Sequence, residues 1–375
     1  MAPETRIESA DLDRRMMRRA LELAARGVGL VSPGPLVGCV IVNDRQQIVG
    51  EGFYVYDELK HAETIALEQA GEATRGATAY ISLEPHAHQG RTPPCTDALI
   101  KAGVQRVVAP IEDPNPKVSG RGFAHLREAG IEVCTGLLAE EAMQLNEAYH
   151  HFMRTGRPFV HLKMAVSLDG KVATATGESR WISGETSRER AHEMRHQYDA
   201  IMVGGRTVRL DDPLLTDRSG KPRRRPLMRV VIEQYLRTAP ESQLAQTTDS
   251  APVIIFACDD ADRDVLDGLR ERGVEVVAQG SALDLGSVLD DLGRRSVQSV
   301  LVEGGPSLAA LLLEAGLVDK VTFFVAPMII GGQDAPSAIA GAGAEKIAEA
   351  VRLERIEIRQ QGDDVEITGY PRKQG

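Results

Sequence analysis

The chain has 375 residues, which suggests two or three domains, and 42% of them are hydrophobic, so it can bury sizeable cores. Its net charge of −10 argues against a nucleic-acid partner, although a local arginine cluster can still bind an anionic small substrate. There is no apolar run near 18 residues, no basic-then-apolar signal sequence and no close pair among the four cysteines. We therefore expect a cytoplasmic protein with no membrane span and no disulfide framework.

The N-terminal part of the chain is predicted to alternate helices and strands. A helix is expected from Asp11 to Arg26, and an apolar strand follows from Leu36 to Val42. Cys39 lies in this strand and is interpreted as a small buried hydrophobe. After residue 95 the alternation continues with a helix, a strand, a second helix and a second strand up to Cys134, which indicates an α/β layer structure.

The stretch from His61 to Cys95 carries a metal-ligand pattern. His61-Ala62-Glu63 opens a predicted helix that stops at Gly71, and a predicted strand then leads into a proline-rich loop that ends at Cys95. In zinc-dependent base deaminases an H-x-E tripeptide supplies one ligand and a general acid/base Glu, and two cysteines after a Pro complete the site. Only one of those cysteines is present. We expect His61, His86 and Cys95 to bind Zn²⁺ and leave a fourth position for water, while Glu63 moves the proton.

Four motifs resemble, in order, those of the RibD-type deaminase/reductase family of riboflavin biosynthesis; they are His61-Ala62-Glu63, Leu83-Glu84-Pro85, Gly90 to Cys95 and Asp113-Pro114-Asn115-Pro116. The chain departs from the family at three positions. His86 replaces the family's first cysteine ligand, Gly34 replaces an Asn, and Tyr54 replaces a His. The resemblance implies a cytidine-deaminase-like three-layer domain in which His88 and Asn115 bind substrate. Without it, the motif at Asn115 also reads as a proline-locked turn.

The predicted domain boundary follows a helix expected from Glu140 to Arg154. The next residues, Thr155-Gly156-Arg157-Pro158, are the plausible linker between two α/β units. We therefore predict domains at 1–155 and 156–375.

The second domain is predicted to contain a phosphate-binding turn. Ser299 to Val302 reads as a strand, Glu303-Gly304-Gly305 as a turn, and Pro306 as the first residue of a helix. Free backbone N–H groups and the positive end of a helix dipole beside two glycines suit a pyrophosphate. A Rossmann interpretation fails, because no G-x-G-x-x-G follows a strand.

The blocks of the second domain resemble the reductase half of the same family, which implies a dihydrofolate-reductase-like fold and NADPH as cofactor. By this resemblance the residues on the cofactor side are Ala165, Trp181, Thr207, Asp211, Gly305, Pro306 and Ser307. Those on the substrate side are Ser179, Arg195, Leu215, Arg218 and Glu303. The two arginines are expected to hold the substrate phosphate, because a guanidinium can bind two oxygens at once.

Some features of this half allow two interpretations. Trp181 suits a core aromatic as well as a cofactor contact. The run Lys221-Pro222-Arg223-Arg224-Arg225-Pro226 suits a solvated, mobile loop as well as a contact to the cofactor 2′-phosphate. Glu233 and Gln234 stand where the family has Asp and Ser. At the end of the chain, residues 353–359 and 364–370 alternate like a hairpin with one buried face.

The sequence thus predicts a two-domain enzyme that deaminates a phosphorylated ribosylaminopyrimidine at zinc and reduces its ribosyl group to ribityl with NADPH. We expect a homo-oligomer, a dimer or tetramer as is common in the family. The alternative is a monofunctional reductase whose first domain is a zinc-free structural module. A deaminase of nucleic-acid bases is disfavoured by the acidic charge and the attached reductase. The pathway, riboflavin or a pteridine-like or azapteridine branch, stays open.

Overall fold

The computed structural model describes residues 3–259 and 262–372, with the side chains of the first helix described from residue 10 onward. The chain divides into two compact units, Met1–Gly156 and Arg157–Gly375, each of which is described by itself. Met1 and Ala2, on which part of the signal-sequence expectation rests, lie outside the described residues. Within the described ranges, none of the helices is both long and apolar enough to cross a membrane.

The first unit is built on one five-stranded sheet. Its strands are β1 (Gly38–Val42), β2 (Ile48–Phe53), β3 (Thr78–Ile81), β4 (Arg106–Ala109) and β5 (Glu132–Thr135). Its helices are α1 (Pro3–Ala25), α2 (Ala62–Ala70), α3 (Cys95–Lys101), α4 (Arg121–Glu128), α5 (Ala139–Leu145) and α6 (Glu147–Thr155). The strand order is β2-β1-β3-β4-β5, in which β1 runs antiparallel to β2 and β3 while β3, β4 and β5 run parallel.

Helices cover both faces of this sheet. Successive side chains of a strand point to opposite faces, so the apolar residues of β1 need a helix on each face to bury them. Cys39 of β1 packs in one apolar cluster with Ala66 of α2. The next residue, Val40, packs in another cluster with Met17 of α1. The three layers confirm the expected α/β architecture, and Cys39 is fully buried, as predicted.

Strand β2 was missed by the sequence patterns, since two glycines interrupt its apolar alternation. A β-carbon at Gly50 would lie 2.0 Å from the Ala66 carbonyl oxygen, and one at Gly52 would lie 2.3 Å from the Ala62 carbonyl oxygen. Helix α2 therefore lies directly on the backbone of β2, which only glycine permits. This contact fixes the start of α2, the helix that begins just after His61.

The single helix predicted from Glu140 to Arg154 is wrong, because the structure has α5 and α6 with a break at Asn146. The Asn146 side chain accepts a hydrogen bond from the Leu36 N–H at 2.8 Å and donates one to the Leu36 carbonyl at 2.9 Å. Such pairing competes with a continuous helix, since an Asn side chain offers backbone groups alternative partners. The break anchors the loop that precedes β1.

The second unit contains a nine-stranded sheet. Its strands are β6 (Phe159–Ser167), β7 (Ala200–Gly204), β8 (Met228–Ile232), β9 (Val253–Ala257), β10 (Glu275–Ala278), β11 (Ser299–Glu303), β12 (Lys320–Ala326), β13 (Leu353–Gln361) and β14 (Asp364–Pro371). Its helices are α7 (Glu185–Gln197), α8 (Gly205–Asp211), α9 (Arg263–Glu271), α10 (Leu285–Arg294) and α11 (Pro306–Glu314). The strand order is β10-β9-β8-β7-β11-β6-β12-β14-β13, parallel from β10 to β12 and antiparallel thereafter.

The parallel strands place their carboxyl ends at one edge of the sheet, where open α/β sheets bind ligands. Apolar clusters cover both faces; Met202 of β7 belongs to one and Val203 to the other. The predicted C-terminal hairpin is confirmed, since β13 and β14 pair antiparallel. The prediction that one face of the hairpin is buried is wrong for β13. This strand lies at the edge of the sheet, and its Ile356 and Ile358 are 48% and 67% exposed.

Two candidate active sites

In the first unit, three segments bring the predicted zinc ligands together. His61 is the N-cap residue of α2, His86 lies in the loop after β3, and Cys95 is the first residue of α3, directly after Pro94. One ligand atom from each residue lies within 4.8 Å of the other two. The two helix starts and the strand end therefore converge on one point.

The distances within this cluster suit a zinc ion. The Cys95 sulfur lies 3.4 Å from Nδ1 of His61, and ligands about 2.0–2.3 Å from a tetrahedral zinc are separated by roughly 3.3–3.8 Å. Nε2 of His61 lies 3.1 Å from the Thr92 hydroxyl. If Nε2 carries the ring proton and donates it to Thr92, Nδ1 is left as the ligating atom, and the threonine orients the ring.

The second histidine of the cluster, His86, packs against His61 with ring centroids 4.7 Å apart. Burial lowers the pKa of His86, and burial together with the charges of His86 and Arg91 lowers the pKa of His61 to about 4. Both imidazoles are therefore neutral near pH 7, which is the form that binds metal. His88 extends the cluster, with its ring centroid 5.3 Å from that of His86.

The carboxyl group of Glu63 is buried beside the cluster. Glu63 is 2% exposed, and its Oε2 has no hydrogen-bond partner among the described residues. Burial raises the pKa of Glu63 and, together with the charge of Glu63, raises the pKa of the Cys95 thiol well above its usual value. A buried carboxyl oxygen without a partner is costly unless something at the site uses it. A metal ion with its water would satisfy both groups.

Glu84 holds the metal loop to the loop that contains Asn115. Its carboxylate is 4% exposed and accepts hydrogen bonds from four backbone N–H groups, those of Asp113, Gly120, Gly122 and Phe123, at 3.1, 2.9, 2.9 and 3.2 Å. The sequence pattern indicated Glu84 only as part of a motif. A signal was present, because a Glu at the end of an apolar strand and before a Pro needs strong partners once it is buried.

The structure places Asn115 in a turn next to the buried Asp113. The Asn115 N–H donates to Asp113 at 2.8 Å, and its side-chain oxygen accepts from the Lys117 N–H at 3.1 Å. Tyr149 also donates to Asp113, and burial raises the pKa of Asp113 to about 6. The side-chain oxygen of Asn115 is thus engaged locally.

In the second unit, four of the predicted cofactor residues lie together where β11 leads into α11, namely Thr207, Gly305, Pro306 and Ser307. Gly304 and Gly305 both have positive φ, +82° and +61°, which favours glycine. β-Carbons at these positions would lie 3.4 and 3.5 Å from the Thr207 hydroxyl oxygen, so the turn faces the start of α8. Pro306 and Ser307 open α11 beside this turn. Asp211 lies at the far end of α8, where its carbonyl accepts a hydrogen bond from Arg180 at 2.6 Å.

Trp181 is 67% exposed, so the interpretation as a core aromatic is wrong. The Arg188 guanidinium lies 4.7 Å from its ring centroid. Ser179 precedes Trp181 in the loop between β6 and α7, and Ala165 lies on β6 opposite Phe324 of β12. The exposed Trp181 ring is therefore available as an apolar surface for a ligand.

Arg195 does not stand free, because it forms a bidentate ion pair with Glu303. The Arg195–Glu303 distances are 2.7 Å (Nε to Oε1) and 3.0 Å (Nη2 to Oε2), and Nη1 donates to the Thr216 carbonyl at 3.1 Å. Lys163 lies 3.8 Å from Glu303 on the neighbouring strand. Burial alone would raise the pKa of Glu303, but the charges of Arg195 and Lys163 lower it to about 2.

Two residues of this cluster, Lys163 and His192, were not predicted from the sequence. Lys163 lies in β6, where a Lys between apolar strand residues is itself a signal that a partner is near. Burial lowers its pKa, against the charge of Glu303. His192 precedes Arg195 by one helical turn, and its Nδ1 is buried without a partner among the described residues. The cluster therefore carries more donors than the motifs indicated.

Arg218 and Leu215 lie in the loop that follows α8. Leu215 is buried and has a positive φ of +52°. Arg218 is exposed, and its Nε donates a hydrogen bond to the Thr216 hydroxyl at 3.5 Å. The fully buried Arg229 donates to the Leu214 carbonyl at 3.1 Å and so anchors this loop. Arg218 is therefore the better placed of the two arginines to bind an incoming phosphate.

In the basic run from Lys221 to Pro226, the interpretation as a solvated loop is wrong for two arginines, Arg223 and Arg225. Arg223 donates to the Tyr198, Arg195 and His196 carbonyls at 2.6, 3.1 and 3.2 Å and so caps the end of α7. Arg225 donates to the Ser296 carbonyl at 2.9 Å. Arg223 therefore stabilises the helix that carries Arg195, whereas Arg225 is held at the end of α10.

The fold and the two clusters together define a class of protein, an α/β deaminase-type metal unit joined to a reductase-type unit. Family models agree with this division. Residues 10–110 match the cytidine and deoxycytidylate deaminase zinc-binding region, and residues 158–367 match the RibD C-terminal domain.

Full-length relatives give the family. The riboflavin biosynthesis protein RibD of Actinobacillus pleuropneumoniae is 43% identical over 358 residues, which cover 95% of this chain and 94% of the relative. RibD of Escherichia coli K12 is 43% identical over 369 residues, 94% of this chain and 98% of the relative. The solved structure of Acinetobacter baumannii RibD, form 1, superposes with a TM-score of 0.87 at 36% identity, covering 97% of this chain and 100% of that one.

A Thermotoga maritima structure described as a diaminohydroxyphosphoribosylaminopyrimidine deaminase/5-amino-6-(5-phosphoribosylamino)uracil reductase matches with a TM-score of 0.85 and 34% identity, covering 97% of this chain and 99% of that one. The chain belongs to the RibD family of bifunctional riboflavin-biosynthesis deaminase/reductases. The resemblance and the fold class stated from the sequence motifs are thereby confirmed.

Proposed function

We propose that the first unit deaminates a phosphorylated ribosylaminopyrimidine at zinc and that the second unit reduces the ribosyl group of the product to ribityl with NADPH. The observation that carries the proposal is the convergence of His61, His86 and Cys95 beside the buried Glu63, whose Oε2 has no hydrogen-bond partner among the described residues. The relatives match over both units, which favours this function over a reductase with a zinc-free structural first domain.

In the first unit, His61, His86 and Cys95 would hold the zinc ion. A zinc ion with an open position supplies the Lewis acidity that makes water reactive at neutral pH. Glu63 takes up the water proton and delivers it to the departing amine, a role that suits a buried carboxyl whose Oε2 has no partner among the described residues. Thr92 keeps His61 oriented through the 3.1 Å contact, and Glu84 keeps the metal loop next to the Asn115 loop. We assign substrate contacts to His88 and Asn115.

In the second unit, the cofactor supplies the reducing equivalents, and the protein binds and orients both partners. We assign the cofactor to Ala165, Trp181, Thr207, Asp211, Gly305, Pro306 and Ser307. The free N–H groups at the start of α11, next to two glycines, suit its diphosphate. We assign the substrate to Ser179, Arg195, Leu215, Arg218 and Glu303. In this arrangement Glu303 fixes the Arg195 guanidinium, and Arg218 contributes the more accessible charge to the substrate phosphate.

The proposal extends to the setting of the enzyme. We expect a cytoplasmic enzyme, in whose reducing setting the four free cysteines would stay thiols. We expect a homo-oligomer, a dimer or a tetramer, which light scattering of the purified protein would measure. The pathway is riboflavin biosynthesis.

The decisive experiment assays the purified protein on the two successive riboflavin precursors, with and without NADPH. The parent is expected to release ammonia from the first precursor and to oxidise NADPH only with the deaminated one. Glu63→Gln should lose deamination by about 10²- to 10⁴-fold, the usual contribution of a general acid/base, and keep the reductase. NADPH oxidation without any ammonia release would show instead a monofunctional reductase.

A further inference from the structure

In the cofactor orientation proposed above, the adenosine half of the cofactor lies over the carboxyl end of β8. The proposed binding site for the diphosphate consists of Gly304 and Gly305, directly after β11, and Thr207, near the start of α8. Ala165, assigned to the nicotinamide side, lies on β6, on one side of β11. The other side of β11 holds β7 and then β8, so the second half of a dinucleotide extends in that direction.

A buried carboxylate stands at the carboxyl end of β8. Glu233, the residue after the strand, is 5% exposed and accepts hydrogen bonds from the Thr238 N–H at 2.8 Å and the Thr238 hydroxyl at 2.7 Å. Its other oxygen forms an ion pair with Arg209 of α8. A β-carbon at Gly205 would lie 2.5 Å from this carboxylate, so Glu233 fills the space beneath the start of α8. Both of its oxygens are therefore committed within the protein.

Because Glu233 is committed, it cannot act as the free acceptor that a ribose 2′-hydroxyl needs. Its effect is to hold Arg209 in place. The Arg209 side chain is 38% exposed, and its recorded ion pair uses only Nη1. A guanidinium that is fixed on one side by a buried carboxylate and open on the other is preorganised to bind a phosphate.

Neighbouring cations lack such an anchor. Arg237 is exposed, and its guanidinium lies 5.4 Å from the ring centroid of Tyr235, which is itself 52% exposed. Arg206, at the opposite end of α8, is exposed. Lysine and arginine side chains on an open surface lose more conformational entropy on binding than one already held by an ion pair.

We propose that Arg209, positioned by Glu233, contacts the 2′-phosphate of the cofactor and is the residue by which the second unit selects NADPH over NADH. The inference rests on the proposed function, because it assumes that a nicotinamide dinucleotide binds at this edge. It assigns the 2′-phosphate to α8 and not to the run from Lys221 to Pro226, whose Arg223 and Arg225 are engaged elsewhere.

The test compares two ligands that differ only by the 2′-phosphate, adenosine 2′,5′-bisphosphate and 5′-AMP, whose binding is measured by titration calorimetry. The parent should bind the bisphosphate at least tenfold more tightly. Arg209→Gln should remove this preference, by about tenfold to a hundredfold, because a charge-assisted hydrogen bond is lost. Arg209→Lys should retain part of it, and the matched control Arg206→Gln should retain all of it.

Loss of Arg209 leaves Glu233 buried without its cation, which can destabilise the fold. The double variant Arg209→Gln/Glu233→Gln keeps the buried site neutral and should also lose the preference. A parent that binds both ligands equally, or an Arg209→Gln variant that still prefers the bisphosphate, would overturn the inference. A parent that shows the preference but oxidises neither NADPH nor NADH with substrate would contradict the proposed function and leave the Arg209 assignment standing.

Discussion

A β-carbon at position 34 would lie 2.9 Å from Cε1 of Tyr54, so the missing side chain at Gly34 and the bulky ring at position 54 depend on each other. Tyr54 is 9% exposed, and its ring centroid lies 4.9 Å from that of His61. Two of the three departures from the family pattern are therefore one structural change beside the candidate metal site. The third, His86, also packs against His61, with ring centroids 4.7 Å apart.

The first prediction is that deamination of the standard riboflavin precursor is weak in the parent and rises in the triple variant Gly34→Asn, Tyr54→His, His86→Cys. Gly34 offers the pyrimidine no hydrogen bond, and a missing one costs about 0.5–1.5 kcal/mol. Ammonia release at saturating substrate measures the effect. A parent that is already as fast as the triple variant would show an ordinary deaminase.

The contact between positions 34 and 54 also predicts how the single variants behave. Gly34→Asn alone should lower the free energy of unfolding by about 1–3 kcal/mol through overpacking, and adding Tyr54→His should restore most of it. Urea unfolding of the two single variants and the double variant forms a cycle that measures this coupling. Additive changes would mean that the two positions do not constrain each other.

The second prediction is a zinc content of about one ion per chain when the protein is purified without chelators. Cys95→Ser should lower the zinc content strongly, because it removes the thiolate. Cys134→Ser is the matched control, since Cys134 is a half-buried cysteine outside the cluster, and it should leave the zinc content unchanged. Metal analysis of the parent far below one zinc per chain would favour the monofunctional reductase.

The third prediction concerns Arg218. Arg218→Ala should weaken binding of the deaminated substrate by about 1.5–3 kcal/mol, the value of a hydrogen bond to a charged group, and leave NADPH binding unchanged. Calorimetric titration of each ligand separates the two effects. Arg224→Ala, in the basic run nearby, is the control and should change neither affinity. Loss of NADPH affinity with unchanged substrate affinity would show that Arg218 belongs to the cofactor site.

The fourth prediction concerns pH and the Glu303 cluster. The pKa of Glu303 is lowered from 4.5 to about 2 in the folded protein. Its contribution to stability is therefore complete above pH 4.5 and is lost as the pH falls from 4.5 towards 2. The difference in free energy of unfolding between the parent and Glu303→Gln should be largest near pH 7 and should shrink below pH 4.5. A difference that stays constant from pH 7 to pH 3 would contradict this.

Much of the first site was determined by the sequence alone. The positions of His61 before a helix, of Pro94 at the next helix start and of Cys95 directly after it are local properties, because caps and prolines act within a turn or two. The motifs around them also carried the family resemblance. The zinc ligand set itself stays a prediction, although the structure brings its three members within 4.8 Å.

Only the tertiary structure decided which charges are paired. Arg195 and Glu303 are 108 residues apart along the chain, and their side chains meet only in the folded unit. Three other features depend on distant partners in the same way. The helix break at Asn146 depends on its hydrogen bonds to Leu36, and the two glycines of β2 are required by the close approach of α2. The position of Arg223 depends on the carbonyl groups at the end of α7. A sequence pattern reports what a residue prefers among its neighbours along the chain. A long-range ion pair or a close backbone approach depends on which segments are adjacent in space, and that is set by the order and register of strands.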